Sequence, residues 1–344
     1  MNRRACWLAC LAWLAAAAWA GDAPTGVIND VVFSQYAEYA NSTELARRLV
    51  SPLNAQRLQQ RAAASGIAIA EQPVDLAHER FALYVPAQAP PEGYALLVFV
   101  PPWNEAKIPP SWTSVLDRHG MILVTAAGIG NDANVLDRRD PVALLATTNA
   151  MSRYRVNPQR VYVGGFSGGS RVALRLALGY PDLFRGVLLD AGSDAIGQTV
   201  PLPPSSLLEK FQTGSRIVYL TGQQDATRQD MERQSRQSLH DWCITNIDTL
   251  SMAGVGHDLA EPAALDRALT SLETLHAPDA AKLDACRARI TSELNADIDK
   301  VHATLEAGRI DDAKKQLDVV DHRYGGLAAP RSVELAARLQ LAAH

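Results

Sequence analysis

Residues 161–170 read Val-Tyr-Val-Gly-Gly-Phe-Ser-Gly-Gly-Ser. An apolar run closes on two glycines, Ser167 follows, and a helix-forming stretch, Gly168 to Leu178, comes next, with Pro181 as its breaker. Gly165 and Gly169 frame the serine as G-x-S-x-G. A turn of this kind holds the serine in strained backbone and lifts its hydroxyl above the end of a sheet. It also leaves the next N–H, that of Gly168, directed at a reacting carbonyl. The bare pattern would turn up by chance in about one chain in ten of this length. Its specificity comes from the context, a strand before and a helix after with Val172, Leu174, Leu176 and Leu178 for burial.

A serine hydroxyl is a weak nucleophile at neutral pH and needs a histidine base, itself oriented by a carboxylate. The chain has eight histidines. His119, His240 and His276 fall on or at the ends of helical stretches, His302 and His322 in the C-terminal helices, His78 before the first strand, and His344 at the terminus. Only His257, in Gly254-Val255-Gly256-His257-Asp258, follows a late strand on a glycine-rich loop. For the carboxylate, Asp225 closes the segment Thr221-Gly222-Gln223-Gln224-Asp225 just past another strand, giving the chain order Ser, Asp, His. Asp190 and Asp194, after the preceding strand, are its rivals. Asp258 adjoins His257 but would point away from it.

These residues need strand ends to hold them. Arg80–Pro86 alternates like a half-buried strand. Short apolar runs at Tyr94–Val100, Met121–Ala127, Arg160–Gly164, Gly186–Leu189, Arg216–Leu220 and Asp248–Met252 then alternate with helical stretches from Ser111–His119 to Leu259–Leu275. Runs this apolar suit strands buried on both faces, and the helices are long enough to serve as parallel crossovers. The expected fold class is α/β, a doubly wound, mostly parallel sheet over residues 79–276. Ahead of it lies a mostly helical lead-in, 21–78, where Ser51-Pro52 reads as a helix start. Behind it lies a helical segment, 277–344, in which Ala280–Glu306, Ile310–Tyr324 and Pro330–Ala342 read as helices. Leu305 to Ala313 resembles the turn of a tetratricopeptide-type helix pair, but the stretch is too short for an array. A helical cap packed on the main domain is the simpler expectation.

Of the 33 basic residues 27 are Arg and 6 are Lys, against 37 acidic ones, and there is no basic run, so nucleic-acid binding has no electrostatic support. Asn2-Arg3-Arg4, the apolar stretch Ala5–Ala17 and Ala18-Trp19-Ala20 have the form of an export signal cleaved near Ala20. A membrane anchor is the alternative, though the apolar run is short for a bilayer span. Removal of that segment would leave a net charge of about −6, no membrane span, and only Cys243 and Cys286. In an exported chain these two are candidates for a disulfide, worth about 4 kcal/mol by loop-closure entropy.

Over roughly residues 79–276 the chain resembles the α/β-hydrolase superfamily. The phrases Tyr84-Val85-Pro86, Asn157 to Val163 and Tyr180-Pro181-Asp182-Leu183-Phe184 resemble secreted esterases of the polyhydroxybutyrate-depolymerase and feruloyl-esterase type. The resemblance implies hydrolysis of small-molecule or polymeric esters through an acyl-enzyme, without metal or organic cofactor; the export signal places it in the periplasm or outside the cell. One departure is plain. Such enzymes usually carry His-Gly after the strand at Tyr94–Val100, where this chain has Pro101-Pro102-Trp103-Asn104. Proline has no N–H to offer an oxyanion. The second donor beside Gly168 therefore falls to Trp103 or Asn104. Trp103 and Phe166 are candidates to wall a substrate pocket, with core packing as Trp103's alternative. Asn131 and Asp132, in the loop Gly128–Arg139, are candidates to touch substrate, although that loop reads first as a solvated one. An amide hydrolase on the same scaffold and a non-catalytic periplasmic binding protein that keeps the fold are the competing functional expectations.

Overall fold

The computed structural model describes residues 23–274 and 276–342, so the expected export segment, with Cys6 and Cys10, lies outside them. The described residues begin with strand β1 (Gly26–Val31) and helices α1 (Ser42–Leu49) and α2 (Pro52–Ala64). Then come β2 (Phe81–Val85), β3 (Tyr94–Val100), α3 (Thr113–Arg118), β4 (Met121–Ala126), α4 (Asp140–Arg153), β5 (Val156–Phe166) and α5 (Gly168–Gly179). The alternation continues through β6 (Gly186–Asp190), α6 (Ser205–Gly214), β7 (Arg216–Gly222), α7 (Ala226–Asp241), β8 (Ile247–Met252) and α8 (Pro262–Leu272). Three helices close the chain, α9 (Ala280–Glu306), α10 (Ile310–Tyr324) and α11 (Arg331–Ala342).

Among the described residues the eight strands form one sheet in the order β1-β2-β4-β3-β5-β6-β7-β8. β2 runs antiparallel to both its neighbours, and every pairing from β4 to β8 is parallel. This is the doubly wound, mostly parallel sheet that the α/β-hydrolase resemblance implies. The lead-in supplies α1 and α2 and also the edge strand β1, which the sequence reading did not separate. Its residues are mostly half-buried or exposed, so it lacks the continuous apolar run that marks the inner strands.

Successive side chains of a strand face opposite sides. Leu96, Val98 and Val100 of β3 enter one core layer with α4, α5 and α6, while Ala95, Leu97 and Phe99 enter the other with α3 and α8. Each large aliphatic side chain buried in this way is worth about 1.5–3 kcal/mol. The crossovers leave β3 and β5 adjacent at the centre, where the winding reverses. In open α/β sheets the crevice beyond the carboxyl ends at such a point receives the ligand.

The C-terminal helices pack on the first of these layers through Leu294, Ile298, Leu317 and Leu335. Cys286 of α9 forms a disulfide with Cys243, just past α7. Ser51 does stand at the N-cap of α2, but its hydroxyl makes no local cap. It donates to Asp321 of α10 at 2.5 Å, and the other Asp321 oxygen accepts the Leu53 N–H at 3.0 Å. Helix α2 is thus capped by a carboxylate from the C-terminal segment, and burial pushes that carboxyl's pKa up. Among the described residues no helix is long and apolar enough to cross a membrane.

Candidate active site

Strand β5 runs straight into Ser167, whose backbone sits at φ 55° and ψ −119°. Residues other than glycine avoid this region, at a cost of order 1–3 kcal/mol. The Ser167 N–H donates to the carbonyl of Asp190, the last residue of β6, at 2.8 Å. Gly169 is required by contact. A Cβ there would lie 1.8 Å from the Val100 carbonyl oxygen, so only glycine lets α5 begin against the end of β3.

His257 lies on the loop after β8 with its Nε2 2.9 Å from Ser167 Oγ and its Nδ1 2.6 Å from Asp225 Oδ2. Asp225 caps α7, its Oδ1 accepting the Arg228 N–H at 3.1 Å. An ionised carboxylate there favours the tautomer in which Nδ1–H donates to it, leaving Nε2 to accept from the serine hydroxyl. The Phe166 ring stacks on the imidazole, with centroids 5.0 Å apart. The loop bearing His257 is tied at both ends. Gln224 N–H donates to the Val255 carbonyl at 2.9 Å. Trp112 Nε1–H donates to the Ala260 carbonyl at 2.8 Å, and the Ala260 N–H donates to Asp190 Oδ2 at 3.0 Å.

The rival carboxylates are engaged elsewhere. Asp190 is buried against Ala260, and burial pushes its carboxyl up to about 8. Asp194 receives the Arg171 guanidinium at 2.8 Å. Asp258 is exposed. His119 lies between Glu273 and Asp266, its Nδ1 2.8 Å from the first and its Nε2 3.2 Å from the second, so both ring nitrogens are engaged there.

Pro101-Pro102-Trp103-Asn104 leaves β3 beside the serine turn. Among the described residues the N–H groups of Trp103, Asn104 and Gly168 donate no hydrogen bond within the chain. The Trp103 ring packs between Phe99 and Phe166, with centroid distances of 6.4 and 6.3 Å. The loop Gly128–Arg139, read first as solvated, is laced to this strand end. Asn104 accepts the Gly128 N–H on its carbonyl at 2.7 Å and the Gly130 N–H on Oδ1 at 2.9 Å. Its Nδ2 donates to Asp132, and Arg138 grips Glu79 through two bonds of 2.9 Å. Polar residues at a chain bend satisfy one another here, and periodicity carries no trace of such pairing.

A cleft of about 520 Å³ opens over Ser167 and Gly168. Asn131 lines it, whereas Asp132 turns to Asn104, and neither Trp103 nor Phe166 is part of its wall. The wall is instead rich in guanidinium groups, from Arg139, Arg171, Arg175 and Arg228. The sequence reading named only Arg139 among these. Arg171 and Arg175 were open to notice as an i, i+4 pair on the helix that follows the serine.

No protein-family model and no curated protein matches the chain. Among solved structures it is similar to a ferulic acid esterase, at 15% identity over 57% of this chain and 91% of that one, with a TM-score of 0.42. The poly(3-hydroxybutyrate) depolymerase of Bordetella parapertussis is 16% identical over 60% and 88% of the two chains, with a TM-score of 0.43. An esterase of Pyrobaculum calidifontis is 14% identical over 57% and 80%, with a TM-score of 0.43.

Proposed function

We propose that this chain is an exported serine hydrolase that cleaves carboxylic esters through an acyl-enzyme. The observation that carries the proposal is the hydrogen-bonded row from Asp225 through His257 to Ser167, with links of 2.6 and 2.9 Å. Ser167 Oγ attacks the ester carbonyl while His257 Nε2 takes its proton. The same proton then passes to the departing alcohol. A water molecule, deprotonated by His257, attacks the acyl-serine and releases the acid, which restores the serine hydroxyl. Asp225 holds the imidazole in the required tautomer and stabilises the imidazolium. The Gly168 N–H and that of Trp103 or Asn104 receive the oxyanion of each tetrahedral intermediate. Export is supported by the Arg3-Arg4 and apolar pattern of residues 1–20 together with the Cys243–Cys286 disulfide.

The test is turnover of 4-nitrophenyl acyl esters beside matched aminoacyl 4-nitroanilides. The expected result is ester hydrolysis that disappears in Ser167→Ala, with amides cleaved at least about a hundredfold more slowly. Amide cleavage as fast as ester cleavage would make the chain an amide hydrolase. Ester turnover that survives Ser167→Ala would remove the serine from the mechanism.

A further inference from the structure

Four arginines from three separate elements line the cleft that opens on Ser167. Arg171 and Arg175 lie one turn apart on α5, Arg139 ends the turn Val135–Arg139, and Arg228 lies in the first turn of α7. Two have acidic partners. Arg171 meets Asp194 at 2.8 Å, and Arg175 meets the fully buried Asp140 at 3.0 Å. The other two have no carboxylate within 4.0 Å among the described residues. Arg139 is 3% exposed, donates from Nη2 to the Pro101 carbonyl at 3.0 Å, and leaves its buried Nε without a partner. Among the described residues the Arg228 guanidinium makes only one long hydrogen bond, 3.8 Å, to the Met231 sulfur.

A buried guanidinium with an unmet N–H is costly, and the cost falls when an anion completes its hydrogen bonds. A solvated arginine face would account for Arg171, which is half-exposed, but not for Arg139. The serine mechanism does not require this charge either, because backbone N–H groups can serve the oxyanion. Asp194 is the one acidic residue on the wall, so the cleft keeps a net positive charge. A guanidinium fork matches a carboxylate through two parallel hydrogen bonds. The cleft volume of about 520 Å³ is that of a small-molecule site.

We propose that the cleft selects esters that carry a carboxylate a few bonds from the scissile carbonyl, with Arg228 and Arg139 receiving that carboxylate and Arg171 adding to the field. The proposal rests on Ser167 being the nucleophile and names the substrate class for that same site.

Two pairs of esters test it. 4-Nitrophenyl hemiglutarate against 4-nitrophenyl pentanoate places the charge on the acyl side. The butyrate of 3-carboxy-4-nitrophenol against 4-nitrophenyl butyrate places it on the leaving side. In one of the pairs kcat/KM should favour the charged ester by about tenfold or more, and the preference should shrink as salt screens the cleft. In Arg228→Met the ratio should fall to near one, with Arg228→Lys in between. A separate measurement needs no turnover, calorimetric binding of glutarate to Ser167→Ala, which should weaken about tenfold or more in Ser167→Ala/Arg228→Met. Neutral esters cleaved as well as charged ones in both pairs, or glutarate binding indifferent to Arg228, would overturn the anion site and leave the hydrolase intact. A folded protein that cleaves no ester yet binds glutarate through Arg228 would overturn the nucleophile and keep the anion site.

Discussion

Asp190 and Asp225 stand at the carboxyl ends of neighbouring strands, β6 and β7, and their surroundings make them different chemical groups. Asp190 is fully buried, accepts a single hydrogen bond from the Ala260 N–H, and has its other oxygen unpartnered. Burial pushes its carboxyl up to about 8, so near neutral pH it is mostly a protonated wedge under the loop that carries His257. Asp225 is 9% exposed, caps α7 and meets His257 Nδ1. In the proposed mechanism Asp225 is the orienting acid because of what it faces, not because of its position past a strand. Asp190 acts on the same histidine loop by a neutral hydrogen bond.

Exchanging the two residues' chemistry should separate them most widely. Asp225→Asn should lower kcat by about 10³–10⁴-fold, because an amide favours the wrong tautomer. Asp190→Asn should cost less than about tenfold, since it keeps a neutral acceptor for Ala260. Steady-state kinetics on one ester decides it, and a severe Asp190→Asn beside a mild Asp225→Asn would reverse the roles.

The end of β3 extends the comparison to a strand whose contribution is backbone alone. Asn104→Pro and Trp103→Pro each delete one N–H. The true oxyanion donor should cost about 10²–10³-fold in kcat and the other less than about tenfold, with the fold checked by circular dichroism. Two mild variants would place the second donor elsewhere.

Each of the two aspartate loops also has a glycine pressed on the site. A Cβ at Gly192 would lie 2.3 Å from the Ser167 carbonyl, and one at Gly222 would lie 2.2 Å from the Gly256 carbonyl. Alanine at either should cost about 1–3 kcal/mol of stability by overpacking. It should also lower turnover about tenfold or more, Gly192 by moving the serine and Gly222 by moving the histidine. Unchanged melting and activity would show these contacts to be loose.

The smallest effect on turnover belongs to a pH slope in stability. Asp190 keeps its proton to about pH 8 when folded and loses it near pH 4 when unfolded. Between those values the native state binds more protons, so this group's contribution is complete below about pH 4 and is lost as pH rises toward 8. Urea midpoints should therefore fall more steeply from about pH 5 to pH 8 in the parent chain than in Asp190→Asn. Parallel slopes would mean that Asp190 is ionised in the fold.

The sequence made some of this legible. The inner strands announce themselves as unbroken apolar runs, and Tyr94–Val100 keeps the same limits in the sheet. Ser167 and His257 were readable because a strand–turn–helix and a glycine-rich loop leave few other places for them. Asp190, Asp194 and Asp225 could not be separated, because each follows a strand and only burial and partners distinguish them. Strand β1 was hidden by its exposed side chains. Helix α6 went unread, although Leu207, Leu208 and Phe211 stand at helical spacing and are buried in it. Of the guanidinium wall only the Arg171–Arg175 pair could be read from spacing, because the crossovers bring Arg139 and Arg228 to it from distant positions.

The central claim is that His257 and Asp225 make Ser167 a nucleophile. Treatment of the purified protein with a fluorophosphonate, followed by peptide mass mapping, tests it most directly. The account predicts one adduct per chain, on the peptide holding Ser167, formed far more slowly in His257→Ala and accompanied by complete loss of ester turnover. A folded protein that takes up no label, or takes it up on another residue at the same rate with His257 removed, would contradict it.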